Sequence, residues 1–321
     1  MSASQAQPAP KRNLVGLIIV AVALVLLAIG YVTVLRGYKS EGDNRSFHIS
    51  DKPSDNDYIK VDLKVIGVDP IKGDMIVRMA FNPEGDMQKD EFSPAHDITL
   101  FINCATGKQE HKFEKGKRMN PMDVTIPLAG QASDYPFDSH EAVLEMIMTM
   151  PVKAEEKPQQ PKETGDEEHA AAAPKPQEKG SFYDTNEPVP MAVEFEGSIP
   201  GLKLDAEKDK DSDVGYTGIE MKVSRSSTVI FFSTFVMVLM LCLTVVAIIM
   251  LLRFWLGGRK IELGAMSLYG AMLFAFPAMR NSQPGVPPLG TYSDYISFFW
   301  AESLIAILLV TIISLWAFRK A

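Results

Sequence analysis

Lys60-Val61-Asp62-Leu63-Lys64-Val65, the turn Asp69-Pro70-Ile71-Lys72-Gly73-Asp74 and the return Val77-Arg78-Met79-Ala80-Phe81 decide the fold of the larger part of this chain. Apolar and polar residues alternate on both sides of the turn, the pattern of strands that bury one face. Pro70 presets φ and Gly73 permits a positive one, so the chain reverses here and the two runs read as a hairpin. Outward from this hairpin the alternation recurs at Ile98–Ile102, Val124–Leu128, Val143–Met150, Met191–Phe195 and Ile219–Val223. Seven or so short strands separated by turns point to an all-β, Ig-like sandwich. Helix-compatible stretches such as Ser139–Glu145 are short, so at most one small helix is expected.

Residues 153–181 break the alternation. They hold Pro158, Pro161, Pro174 and Pro176, the run His169-Ala170-Ala171-Ala172-Ala173 and twelve charges, with almost no large apolar side chain. Such a composition buries too little surface to offset its ordering entropy, and a disordered insert between two strands is expected. Asp205–Asp213 reads as a second exposed, charged turn.

Apolar segments flank the β pattern at Leu14–Leu35, Thr228–Leu252, Ile261–Met279 and Tyr295–Phe318. About 20 apolar residues cross the hydrocarbon core, so each is long enough to span a bilayer. The expected architecture is a membrane protein with an all-β exterior domain and four transmembrane helices, one N-terminal and three C-terminal. Its parts are a tail (1–13), a first span (14–35), the exterior sandwich (36–227), two spans (228–252 and 261–279), an outer loop (280–294) and a last span (295–318).

Basic residues near the membrane favour the cytoplasmic side. Lys11-Arg12, Arg253, Arg259-Lys260 and Arg319-Lys320 share that side only if residues 36–227 and 280–294 lie outside a plasma membrane. Arg36, Lys39, Arg225 and Arg280 oppose this assignment and are outnumbered. Residues 36–227 contain 37 of the 40 Asp and Glu and 24 of the 32 Lys and Arg, a net charge of −13 against +5 for the remainder. An exterior domain this acidic argues against a nucleic-acid partner or an electrostatic grip on anionic lipid. The first span has a rival reading as a cleaved signal peptide, with Ala28 and Gly30 before a cut at Tyr31. Its apolar run is too long for that, and an uncleaved signal anchor is expected.

Cys104 and Cys242 fall in different parts of the chain, so the exterior domain has no internal disulfide and each cysteine reads as a small apolar residue. His48, His96, His111, His140 and His169, with Asp138 and the acidic patch Asp86, Asp90, Glu91 and Asp97, lack metal-ligand spacing and read as solvated loop residues. No cofactor is implied. Asn44-Arg45-Ser46 is a sequon of the kind expected by chance. In the third span Ser267, Ala271 and Ala275 recur at every fourth position near Gly264 and Gly270, which suggests the most buried helix of the bundle.

The candidate site is the outer loop, Arg280-Asn281-Ser282-Gln283-Pro284-Gly285-Val286-Pro287-Pro288-Leu289-Gly290, followed by Asp294. Three prolines and two glycines in eleven residues make a stiff, shaped turn. Glu302 enters about two turns into the fourth span, where an acid needs a partner. Arg280 is the expected one, with Asp294 competing for it. The loop reads as a clamp or a partner-docking surface rather than a catalytic centre, since it holds neither His nor Cys.

This loop, with Ser297-Phe298-Phe299-Trp300-Ala301-Glu302 downstream and the exterior motifs Tyr135-Pro136-Phe137-Asp138 and Val68-Asp69-Pro70-x-x-Gly73, resembles a membrane-protein family, domain of unknown function 4436, common in actinobacteria. The resemblance covers about residues 55–318. It implies the one-plus-three topology and an actinobacterial envelope, and it implies no activity. The function expected is a non-catalytic scaffold or accessory subunit of a lipid-export or wall-assembly complex, with membrane lipids and envelope proteins as partners. An envelope enzyme acting on lipid headgroups around Arg280, Asp294 and Glu302 is the second reading, and a ligand sensor the third. The sensor is disfavoured because the cytoplasmic segments are too short for a signalling domain.

Overall fold

The computed structural model describes residues 14–43, 46–47, 56–152, 186–257 and 261–318. The insert 153–181, Asn44 and Arg45 of the sequon, His48, His169 and the basic residues Lys11, Arg12, Arg259, Lys260, Arg319 and Lys320 lie outside them. In chain order the elements begin with α1 (Leu14–Asp43), β1 (Ser46–Phe47), β2 (Tyr58–Asp69), β3 (Asp74–Glu84), β4 (Gln88–Asp90), β5 (Ser93–Pro94) and β6 (Ile98–Ile102). Next come β7 (Glu110–Phe113), β8 (Met122–Pro127), β9 (Ala129–Gly130), β10 (Ser139–Pro151), β11 (Asn186–Pro188) and β12 (Met191–Gly197). The chain then forms β13 (Leu202–Lys208), β14 (Tyr216–Arg225), α2 (Ser227–Leu256), α3 (Leu263–Asn281), a π-helical turn (Asp294–Phe298) and α4 (Phe299–Phe318). They divide into a β unit, residues 45–132 and 138–224, and a helical unit formed by residues up to 44, 133–137 and 225 onward.

The β unit has a five-stranded sheet in the order β1-β12-β2-β3-β8 and a second sheet built on the path β13-β14-β10-β6-β7. The β2–β3 hairpin pairs Asp69 with Asp74, so the reversal falls where Pro70 and Gly73 place it. Gly73 has φ +74, and the Asp69 carboxylate accepts the backbone N–H groups of Ile71 and Lys72, both at 3.1 Å. An extra residue at Ile66 shifts the register between Val65 and Gly67. Beyond the hairpin, β12 runs parallel to β2 and the remaining described pairings are antiparallel. Alternate residues of both sheets enter one core, with Val61, Leu63, Val77 and Met79 from the first and Leu100, Leu144, Met146 and Met221 from the second.

Two local expectations are corrected. Ser139–Glu145 is the start of β10, not a helix: His140, Ala142 and Leu144 are buried while Ser139, Glu141 and Val143 are exposed, a period of two that outweighs the helix propensity of Glu, Ala and Leu. The charged stretch from Asp205 begins inside β13, whose Leu204 is buried, and turns only after Lys208. The sole helical elements described within the β unit's span are two single turns at Gly85–Met87 and Ala132–Asp134. Pro151 and Asn186 are register partners, so the chain leaves and re-enters the sheet at one place around residues 153–185.

In the helical unit, Ser226 caps α2 by accepting the N–H of Val229 at 3.3 Å, which fixes where the strand ends and the helix begins. Two helical segments, Ser227–Leu256 and Asp294–Phe318, are long and apolar enough to cross a membrane. Met240, Ala247 and Leu251 of α2 pack with Tyr269 and Phe276 of α3 and with Ala301, Ile305 and Ile312 of α4. These residues recur at helical spacing, so each helix buries one stripe. The Tyr269 hydroxyl donates to the Ala247 carbonyl at 2.8 Å and ties α3 to α2. α1 approaches α2 through glycines: a Cβ on Gly30 would lie 2.8 Å from Phe231 Cζ, and one on Gly37 3.2 Å from Thr228 Oγ1. The stripe of Ser267, Ala271 and Ala275 faces outward instead of packing, and a Cβ on Gly264 or Gly270 would meet no atom of another element within 4 Å among the described residues. The bulky residues Tyr269 and Phe276 make the α3 interface, so close backbone approach is not how this helix is held.

Candidate functional site

α3 ends at Asn281 and delivers Arg280 into the outer loop, while the π-helical turn delivers Asp294 from the other side. Arg280 Nε donates to Asp294 Oδ1 and Nη2 to Oδ2, both at 2.8 Å, a two-pronged ion pair with both side chains buried. Arg280 Nη2 also donates to the Pro287 carbonyl at 2.9 Å, and Nη1 reaches Asn281 Oδ1 at 3.4 Å. Asp294 Oδ2 further accepts the backbone N–H groups of Gly290 (2.9 Å) and Thr291 (3.1 Å) and the Thr291 hydroxyl (3.0 Å). The loop between the two helices thus closes on one carboxylate, as a buried charge requires.

The expected Arg280–Glu302 pair is not formed. Asp294 takes the guanidinium because it sits at the loop mouth with both oxygens turned toward it, whereas Glu302 lies farther along α4. Glu302 Oε2 is buried without a hydrogen-bond partner among the described residues, and so are both amide atoms of Gln283. Of the other loop residues, Pro284 and Gly285 meet a second cluster described next, while Pro288 is exposed on the loop surface.

Residues 133–137 supply that second cluster. Tyr135 is fully buried; its hydroxyl donates to the Pro284 carbonyl at 2.8 Å, which leaves the Ser233 hydroxyl of α2, 2.6 Å away, to donate to it. The Tyr135 carbonyl accepts the N–H of Ser293 at 3.3 Å. Arg225 lays its guanidinium over the Tyr135 ring, 5.1 Å from the centroid. Gly285 has φ +60 and a Cβ there would lie 2.8 Å from Arg225 Nη1, so conformation and space both call for glycine. Tyr135, Arg225, Ser233 and Thr291 were not singled out as site residues by sequence reasoning. Tyr135 was visible only as part of a short motif, and Arg225 only as a charge opposing the topology; stacking on a tyrosine has no local spacing to betray it.

In the β unit, His140 and Asp138 correct the expectation of solvated loop residues. Both are buried, with His140 Nε2 3.0 Å from Asp138 Oδ2. His140 Nδ1 has no hydrogen-bond partner among the described residues and faces Gly130, where a Cβ would come within 2.3 Å of it. No group of three or more His, Cys, Asp or Glu able to hold a metal occurs among the described residues.

Residues 49–223, more than half of the chain, match the model of a family described as domain of unknown function, DUF4436. The chain belongs to the DUF4436 family. The match covers the β unit, while residues 225–319 match a second model, domain of unknown function DUF8686. The outer-loop sequence that carried much of the resemblance therefore lies in the DUF8686 segment, and Tyr135-Pro136-Phe137-Asp138 and the β2–β3 turn lie in the DUF4436 segment. No curated protein matches the chain significantly.

Proposed function

We propose that this DUF4436 protein is a multi-pass membrane protein of the cell envelope, acting as a non-catalytic scaffold or accessory subunit of a lipid-export or wall-assembly complex. The observation that carries this reading is the saturation of the Arg280–Asp294 pair within the outer loop. Arg280 and Asp294 spend their hydrogen-bonding capacity on each other and on the loop backbone, a pattern suited to holding a shape rather than to binding and releasing a substrate. A nucleophile and base within reach of each other are what an enzyme reading needs, and His and Cys are absent from 280–294.

Four spans are part of the proposal. The two long apolar helices support it directly, and α1 supports it by packing on α2 through Gly30 and Gly37, as a retained signal anchor would. The shared core of the two sheets supports an Ig-like sandwich for the exterior domain. The basic residues of the sequence support placing residues 36–227 and 280–294 outside the plasma membrane. Purification of the tagged full-length protein from membranes tests the function: a stoichiometric envelope-protein partner is expected. Isolation of the chain alone, with a lipid-headgroup turnover that Asp294→Asn abolishes at unchanged abundance, would establish the enzyme instead.

A further inference from the structure

In the first half of α4 the exposed apolar residues Trp300, Leu304, Ile307 and Val310 form one stripe at the spacing of a single helix face. The stripe does not stop where α4 begins. It continues through Ile296 and Tyr295 of the π-helical turn to Tyr292, and these residues stay exposed, Tyr295 at 63% and Tyr292 at 49%. At its end Phe137, 53% exposed, meets Tyr292 edge to face with ring centroids 6.3 Å apart. Phe137 is carried by the segment whose Tyr135 is anchored on Ser233 and Pro284, so its ring is presented by a fixed backbone. From Val286 to Ala301 the one charged residue is Asp294, and its charge is buried and paired.

We propose that Phe137, Tyr292, Tyr295 and Trp300 form an aromatic collar that sits in the headgroup layer of the bilayer, and that residues 133–137 are thereby a membrane-contacting segment. The inference rests on the reading of α4 as a membrane span. Three features select a lipid surface as the occupant. The collar is continuous with the apolar face of a helix long enough to cross a membrane. Charge around it is sparse: within 133–137 and 286–301 only Asp134, which is exposed, and Asp294, which is buried and paired, are charged. Two of its four rings carry hydroxyls, and Trp and Tyr place an apolar body in lipid and a polar edge in the wet headgroup layer. The collar also explains why Tyr135 is held so tightly: a loosely held Phe137 would lose its contact with Tyr292.

The test uses the full chain with Trp255, Trp300 and Trp316 replaced by Phe and a single reporter introduced as Phe137→Trp, Tyr292→Trp or Ile307→Trp. Each is reconstituted in phosphatidylcholine–phosphatidylglycerol vesicles carrying a nitroxide either on the headgroup or near the acyl terminus. The collar predicts that F137W and Y292W lose most fluorescence to the headgroup nitroxide and are shielded from aqueous iodide, while I307W is quenched most by the acyl-terminal nitroxide. If I307W behaves so but F137W and Y292W respond to iodide alone, or are quenched most by the deep label, the collar is wrong and the span stands. If I307W is quenched by neither lipid label, the span reading falls and the collar with it. The two reporters at 137 and 292 guard against either substitution disturbing the fold.

Discussion

Asp294 accepts from Arg280, Gly290 and Thr291 at once, so removing either member of the ion pair strands more than one group. Arg280→Met and Asp294→Ala are each expected to cost about 3–5 kcal/mol, because each leaves an uncompensated buried charge. The double replacement should recover part of this but not all, since Gly290 and Thr291 still lose their acceptor. Thermal unfolding in detergent and membrane abundance of the two singles and the double check it; singles of normal stability would refute the clamp. In the sequence, both acids were legible as candidates for Arg280, with Glu302 the expected partner and Asp294 its competitor. Counting turns along a span favours Glu302, but the loop folds back through Gly290 and brings Asp294 to the guanidinium. A second residue-scale expectation concerns Asp69 in the β2–β3 turn. The Lys72 backbone N–H, with its ammonium and the Ile71 N–H, holds this carboxyl below its ordinary value. A lowered folded-state value stabilises the turn at pH above the unfolded carboxylate range, and that contribution is lost as pH falls through the lowered value. Melting temperature of the full chain followed into acid should therefore fall less steeply for Asp69→Asn than for the parent, once the constant offset is removed.

Most of the longer strands were legible from a period of two, but β13 was missed although Leu202, Leu204 and Ala206 alternate with Lys203, Asp205 and Glu207. Ile98–Ile102, Met191–Phe195 and Ile219–Val223 lie within β6, β12 and β14, and Val124–Leu128 overlaps β8 up to Pro127, because each must bury one face against the same core. Elements that bury little left no such trace. β7 is a four-residue edge strand that exposes Glu110 and Lys112 and packs only Phe113 on the core, and β9 and β11 are two and three residues long, fixed by their partners rather than by their own sequence. Outward-facing small residues in α3 show the converse: a spacing that permits close packing does not compel it when larger side chains offer more contact. Pairing of Pro151 with Asn186 gives an element-scale prediction. Because the chain leaves and re-enters at adjacent positions, replacing residues 155–178 by a short Gly-Ser turn is expected to leave the melting temperature nearly unchanged. A fall of more than about 10 °C, several kcal/mol for a chain of this size, would show that the segment contributes to the packed structure.

At the scale of the whole molecule, a mostly β, DUF4436 segment is followed by a helical DUF8686 segment whose long helices are clad in exposed apolar side chains such as Phe235, Val245, Ile249, Ile307 and Val310. In water such faces would drive aggregation; in lipid they are the solvent-matched surface. The proposed direction of threading rests on the Lys and Arg residues beside the apolar segments, Lys11-Arg12, Arg253, Arg259-Lys260 and Arg319-Lys320. Everything proposed about scaffolding, the outer loop and the aromatic collar depends on that threading. Site-directed cysteine labelling with a membrane-impermeant maleimide, in a chain carrying Cys104→Ala and Cys242→Ala, tests it most directly. Cysteines introduced at Lys72 and Pro287 are expected to react in intact cells, and one at Gly257 only after the membrane is opened. Labelling at Gly257 in intact cells with Lys72 and Pro287 protected would contradict the account.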